Sequence, residues 1–250
     1  MAGILYLIPN TLGNAADTDS DPLAHIIPAE VQAITAGLGY FVAENAKTTR
    51  AFLKLVAANT PLARPLQEIR IAELNVNTDA NTLPALLEPI LAGADGGLIS
   101  EAGVPAVADP GANLVQLAHA RGITVKPLVG PSSLLLAVMA SGLSGQNFAF
   151  NGYLPVEPAA RIKRIQQLEN RARAEKQTQF FIETPYRNAA MLETLAQTCQ
   201  AQTLICVATD LTLPSETIRT KSAARWKEDL ARGKGPDFHK KPTVFLLLAD

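Results

Sequence analysis

Short apolar runs alternate with longer amphipathic stretches along almost the whole chain, and this alternation constrains the fold more than any other feature. A run of four to six apolar residues suits a strand buried on both faces, and a 3.6-residue apolar period suits a helix that covers it. Repeated, the pair builds strand–helix units on a mainly parallel sheet. In the first half the strands are expected over 4–8, 40–43, 97–100 and 123–128, with helices over 28–35, 48–58, 83–92 and 110–121. The last of these helices is well punctuated: Asp109 can cap it, Pro110 suits its first turn and Gly122 can end it. Pro89 falls inside the third and is expected to kink or shorten it. Residues 128–133 then lead into an apolar stretch over 134–140, closed by Ser141-Gly142. Beyond it, strands are expected over 148–150, 178–183, 203–208 and 244–248, and helices over 158–174, 188–198 and 223–231. The expected architecture is α/β in two lobes: an N-terminal domain, 1–130, with a mainly parallel sheet, and a C-terminal domain, 131–250, with a mixed sheet.

Composition supports packed lobes. Of 250 residues, 48% are hydrophobic and 18% charged, which argues against disorder. No window reaches the about 20 consecutive apolar residues of a membrane helix. The apolar start, Met1 to Asn10, lacks a basic leader and breaks at Pro9, so it reads as a first buried strand rather than a signal peptide. Cys199 and Cys206 have no ligand-like spacing, and His25, His119 and His239 are scattered. No metal centre is expected, and a reducing cytoplasm suits the thiols. Charge is uneven: residues 1–120 carry 5 basic and 12 acidic side chains, residues 121–250 carry 17 basic and 11 acidic. The basic half suits an anionic partner, or else its basic residues form a solvated helix face.

Ligands of open α/β sheets collect at the carboxyl ends of strands. Four stretches here hold that position: 9–14, 44–49, 100–105 and 130–133. In the third, Gly103 permits close backbone approach and Glu101 supplies a carboxylate. Gly130-Pro131-Ser132-Ser133 lacks the lysine of a phosphate-binding loop, and no strand is followed by G-x-G-x-x-G. No G-x-S-x-G elbow is present either, which disfavours a serine hydrolase.

Taken in order, these loops resemble the tetrapyrrole-methylase-like superfamily of methyltransferases, and the branch that methylates a cytidine 2′-hydroxyl of small-subunit ribosomal RNA in particular. That branch's T-P-I-G-N is matched by Asn10-Thr11-Leu12-Gly13-Asn14, its E-D-T-R by Glu44-Asn45-Ala46-Lys47 and its S-D-A-G-T-P by Ser100 to Pro105. Its D-P-G recurs at Asp109 to Gly111, its G-P-S at Gly130 to Ser132, and its G-F-L-P at Gly152 to Pro155. Its F-Y-E-S-P-H-R is similar to Phe181-Ile182-Glu183-Thr184-Pro185-Tyr186-Arg187. Thr11, Asn45, Lys47 and Glu101 depart from the pattern, and the sequence stops at Asp250 without the further C-terminal segment of the RNA enzyme. It is similar in this to a short paralogous branch.

The resemblance implies a homodimer of two-lobed subunits with S-adenosylmethionine in the cleft between lobes. It implies cofactor contacts from Ser100, Glu101, Val104, Ser132 and Ser133, and from Glu183, Ala208, Pro242 and Thr243 in the second lobe. Methyl transfer from a sulfonium is an in-line displacement, so the protein must position the acceptor, exclude water and take up a proton. Glu44 is the candidate proton acceptor, with Lys47 and Arg50 as candidate substrate-binding cations. Alternatively Glu44 and Lys47 only pair across one helical turn. Three readings stay open: RNA methylation at a ribose hydroxyl, with the basic run Arg161, Lys163, Arg164, Arg171, Arg173 and Lys176 tracking phosphates; methylation of a small, tetrapyrrole-like molecule; and a cofactor-binding regulatory protein without turnover.

Overall fold

A computed structural model describes residues 1–13, 21 and 23–249, so Asn14, the last residue of the first-loop motif, lies outside the described residues. The chain divides into two compact units, Met1–Ser132 and Ser133–Asp250.

In the first unit, β1 (Ile4–Ile8), β2 (Tyr40–Ala43), β3 (Arg70–Glu73), β4 (Gly96–Ile99) and β5 (Thr124–Pro127) form a parallel sheet in the order β3-β2-β4-β1-β5. Among the described residues four α-helices accompany it: α1 (Ala29–Gly37), α2 (Ala46–Asn59), α3 (Leu83–Leu91) and α4 (Gly111–Ala120). Successive strand side chains point to opposite faces. Phe41 and Ala43 accordingly join Phe52, Leu53 and Val56 in one core, while Tyr40 and Val42 join Leu87, Ile90, Leu114 and Ala118 in another. The central strands β2 and β4 are buried throughout, which is why they read as continuous apolar runs. β3, not anticipated from sequence, is an edge strand with Arg70 and Glu73 exposed at its ends. Its pattern is too polar and too short to register as a strand.

The order of strands places a switch point between β1 and β4. From β1 the chain passes through α1 to β2 on one side, and from β4 it passes through α4 to β5 on the other. Loops leaving two adjacent strands in opposite directions open a crevice at their carboxyl ends.

Local signals explain the helix limits. α2 begins at Ala46, two residues before the expected start, because the Asn45 side chain accepts the N–H groups of Lys47 and Thr48 at 2.9 and 3.3 Å. α3 stops at Leu91, two residues beyond Pro89. α4 begins at Gly111, one residue later than expected, and Asp109 accepts the Gly111 N–H at 2.7 Å.

The second unit is built on β6 (Phe148–Tyr153), β7 (Thr178–Glu183), β8 (Leu204–Thr209), β9 (Thr217–Ser222) and β10 (Thr243–Leu248), in the order β6-β7-β10-β8-β9. Only β6 and β7 run parallel, so this sheet is mixed. α6 (Pro158–Glu175), α7 (Asn188–Thr198) and α8 (Ala223–Ala231) pack over one core, with Leu168, Leu192, Trp226, Phe181 and Phe245 inside it. α5 (Ser133–Ser141) packs against β8, β9 and β10. β9 also escaped sequence reading: Thr217 to Ser222 is an edge strand with two basic residues and no apolar run. No helix among the described residues is long and apolar enough to cross a membrane.

Trp226 anchors the second core, fully buried and donating its indole N–H to Ile205 O at 2.9 Å. Trp226→Ala removes that volume and the indole hydrogen bond. It is expected to cost about 3–5 kcal/mol, read as a lower urea midpoint by circular dichroism.

Candidate functional site

The carboxyl ends of β1, β2 and β4 bring the 9–13, 44–49 and 100–105 loops of the first unit together. The first and third are paired through their backbones: Asn10 N–H donates to Gly103 O at 2.8 Å, and Gly103 N–H to Thr11 O at 3.2 Å. The buried Asn10 side chain adds a clamp, its amide donating to Ser100 O and Glu101 O, both at 3.1 Å, while its carbonyl accepts Thr11 N–H. Gly103 has φ +68, and a Cβ there would stand 3.0 Å from Leu12 Cδ2 and 3.4 Å from Pro131 O. At Gly130 a Cβ would sit 2.2 Å from the Pro9 Cβ. Both glycines therefore serve loop-on-loop packing, which brings 130–132 into the same group.

Glu44 ends β2. Its own N–H donates to Ile99 O, and its Oε2 accepts the Glu101 N–H at 3.1 Å. Among the described residues Oε1 has no hydrogen-bond partner, leaving it free to accept a proton. No ion pair joins Glu44 to Lys47 among them either: Asn45 is the helix cap, so Glu44 lies outside the helix, and Lys47 and Arg50 are exposed on α2. The pairing across a helical turn is thus replaced by a bond from Glu44 to the backbone of the 100–105 loop.

Asp109 closes the other end of that loop. Its carboxylate accepts Ala106 N–H at 2.8 and 3.0 Å besides the Gly111 N–H. Between these bonds Ala106 and Ala108 stand at φ 65 and 63, left-handed positions that cost roughly 1–2 kcal/mol each in a residue with a Cβ. Glu44, Ser100, Pro105 and Asp109 line a cavity of about 10 Å³, the size of one water. Burial pushes the Asp109 carboxyl up from its ordinary value, the Gly111 and Ala106 N–H bonds oppose this, and the Glu44 charge adds to it.

The other expected first-unit residues gather here too. Ser100 is buried, its hydroxyl donating to Ala102 O at 3.2 Å. The Glu101 side chain is exposed, and Val104 and Ser132 are half-buried. In the second unit Ser133 opens α5. Glu183 is buried at the end of β7, its Oε1 accepting from Thr184 N–H and from Arg187 Nη2. Ala208 lies buried in β8, Thr243 begins β10, and Pro242 just before it is exposed.

Sequence reading missed three parts of these sites. Asn10 was quoted only as part of a motif. Asn188 is fully buried, and its amide ties Lys241 O to Thr243 Oγ1 at 2.9 and 3.0 Å. The loop after β8 holds Asp210 and Thr212 at φ 53 and 71, with the buried Asp210 carboxylate accepting from Ser215 Oγ at 2.7 Å. Its Pro214-Ser215 turn signal was the available clue. Among the described residues no group of acidic, histidine or cysteine side chains could hold a metal ion. Cys199 and Cys206 are free and buried, and burial, then the Glu169 charge, pushes the Cys199 thiol up to about 12.

The architecture recurs in solved methyltransferases. The methyltransferase CobJ superposes with a TM-score of 0.60 at 19% identity, covering 99% of this chain and 94% of that one. The cobalt precorrin-4 methyltransferase CbiF gives 0.56 at 12% identity, covering 98% and 94%. The fold is that of the tetrapyrrole-methylase-like methyltransferases. Curated relatives narrow it. Ribosomal RNA small subunit methyltransferase I of Xylella fastidiosa (strain Temecula1) is 30% identical over 229 residues, 92% of this chain and 76% of the relative. The protein of the same name from Haemophilus influenzae is 30% identical over 239 residues, covering 94% and 77%. No family model matches the chain. At this identity and coverage the chain belongs to the ribosomal RNA small subunit methyltransferase I family and is a methyltransferase.

A raised carboxylic acid pKa means that the folded state favours protonated Asp109. Its stabilising contribution is full below the unfolded pKa and is lost as pH rises through the folded one. Wild type is therefore expected to lose stability relative to Asp109→Asn as pH climbs from about 4, with the difference flat once Asp109 is ionised. Paired urea titrations between acid and neutral pH check this, and a constant difference would contradict it.

Proposed function

We propose that the chain transfers a methyl group from S-adenosylmethionine to a ribose 2′-hydroxyl of small-subunit ribosomal RNA. The observation that carries the reading is the Glu44 carboxylate: one oxygen is anchored on the Glu101 N–H and the other has no partner among the described residues, at the switch point of a methyltransferase fold. The relatives' name supports RNA as the acceptor.

The residues present fit the cofactor. The exposed Glu101 carboxylate can accept from a ribose diol, and the hydroxyls of Ser100, Ser132 and Ser133 can serve an α-carboxylate or ammonium. Val104 in the first unit and Ala208 in the second are each apolar, as the uncharged parts of the cofactor require. In the second unit Glu183 Oε2 and Asn188 Oδ1 are buried acceptors without a partner among the described residues, suited to an amine-bearing ligand, with Thr243 paired opposite Glu183 and Pro242 preceding it. S-adenosylmethionine, when bound, supplies an electrophilic methyl on a good leaving group. Glu44 then takes the acceptor's proton at Oε1, Asn10 and Asp109 hold the 100–111 loop in register, and Lys47 and Arg50 draw in phosphate. The reading includes a homodimer, supported by Leu135 and Met139, 59% and 79% exposed at i and i+4 on α5, and a cytoplasmic location, supported by the two free thiols.

Calorimetry is expected to find one S-adenosylmethionine or S-adenosylhomocysteine per chain. Binding of neither would remove the cofactor assignment. Tritium from the labelled donor is expected in small-subunit RNA from a strain lacking the modification, and label only in a small-molecule fraction would replace the RNA reading.

Glu44→Gln keeps an acceptor for the Glu101 N–H but loses the base. Its turnover is expected to fall roughly 10²–10⁴-fold, with cofactor affinity within a few-fold of wild type. Glu44→Ala also releases the loop and is expected to weaken cofactor binding, so the two variants separate proton transfer from loop support. Equal, small effects of both would return Glu44 to a structural role.

A further inference from the structure

One end of the second unit carries exposed aromatic side chains among cations that are in no ion pair among the described residues. β6 and β7 run parallel and end together, Tyr153 standing opposite Ile182. Tyr153 is 58% exposed and follows a register shift in β6, a bulge that re-aims the strand's last side chain. Tyr186 sits in the 3-10 turn Pro185–Arg187 just beyond β7 and is 83% exposed. Tyrosine is usually at least half-buried, so two exposed ones at neighbouring strand ends need a reason.

The same end holds the first turns of α6. Lys163 is exposed and has no ion pair among the described residues. Arg161 donates to Val156 O, and Arg164 to Asn151 Oδ1 and Gln167 Oε1, which places both beside the end of β6, and neither is in an ion pair among the described residues. The α6 N-terminus itself is already satisfied: Glu157 caps it, and the Ala159 and Ala160 N–H groups, then the Arg161 charge, hold its carboxyl below the usual range. Attraction for an anion therefore comes from the three side chains and not from the helix end. Farther along α6, Arg171 is paired with Glu175.

We propose that Tyr153 and Tyr186, with Arg161, Lys163 and Arg164, form a docking surface for an unpaired RNA strand, the rings stacking on bases and the cations following phosphates. Stacking on aromatic rings needs bases that are not locked in a helix, and flanking cations supply sequence-independent affinity. The charge matches: the second half of the chain carries the excess of basic residues. This rests on the RNA reading above and adds to it where, and in what form, the RNA is held.

The test uses the full chain and a fluorescein-labelled single-stranded oligoribonucleotide, with a duplex of the same sequence as control, read by anisotropy across a salt series. Wild type is expected to prefer the single strand. Tyr186→Ala and Tyr153→Ala are each expected to weaken binding roughly 5- to 100-fold, with the salt slope unchanged, S-adenosylmethionine affinity unchanged and Tyr→Phe retaining most of the affinity. Lys163→Ala is expected to make the slope shallower by roughly 0.7. If wild type binds RNA and methylates it while both alanine variants bind as well as wild type, the surface is wrong and the RNA reading stands. If wild type neither binds RNA nor labels it, that reading falls and the surface with it. A change in sedimentation mass of the alanine variants, with RNA affinity untouched, would make this a contact between copies of the chain and overturn the proposal.

Discussion

The bond from the Glu101 N–H to the Glu44 carboxylate joins two strand-end loops that are 57 residues apart in sequence. From the β1 side the 100–111 segment is held by Asn10 and Thr11. With the Glu44 bond, the segment is fixed from β1, from β2 and, through Asp109, from within itself. Left-handed alanines at 106 and 108 persist only where surrounding bonds over-determine them. A loop held from three directions can present a carboxylate and hydroxyls to a ligand with little ordering cost on binding.

That arrangement follows from topology. A parallel sheet puts every strand's carboxyl end on one edge, and the β1/β4 switch point keeps the following helices from covering it. The close approach of loops then demands glycine at 103 and 130, because any side chain would strike Leu12 or Pro9. The second unit reaches a comparable edge differently. Its sheet is mixed, so the start of antiparallel β10 lies between the ends of β7 and β8, and Thr243 meets Asn188 and Thr209 there.

Much of this was legible from residues. Buried strands read well because they are apolar on both faces: β1 and β2 were placed to the residue, and β4, β8 and β10 within one. Edge strands did not, since β3 and β9 have one face to solvent and alternate too briefly to stand out. The loops 9–14, 44–49, 100–105 and 130–133 were found from glycine, proline and short polar residues. Their mutual bonds were invisible, because no local pattern says that the amide of Asn10 reaches Ser100 O, 90 residues away. Asn188 was missed for a related reason: a buried asparagine inside a helical pattern looks like any polar helix residue until the carbonyl it satisfies is known. The family's motifs carried the remaining information, and they did so as an ordered set, each alone being a common turn.

Two carboxylates share the small cavity under the 100–111 loop, and their bonding separates their roles. Asp109 spends its acceptor capacity on the Ala106 and Gly111 N–H groups, so its lone pairs are committed to loop shape. Glu44 commits one oxygen only. On the reading proposed above, a proton leaving a bound acceptor goes to the Glu44 oxygen that has no partner among the described residues, while both Asp109 oxygens are engaged by the loop. Asp109 can thus support the role proposed for Glu44 without touching the acceptor, by shaping the loop whose Glu101 N–H holds the Glu44 carboxylate.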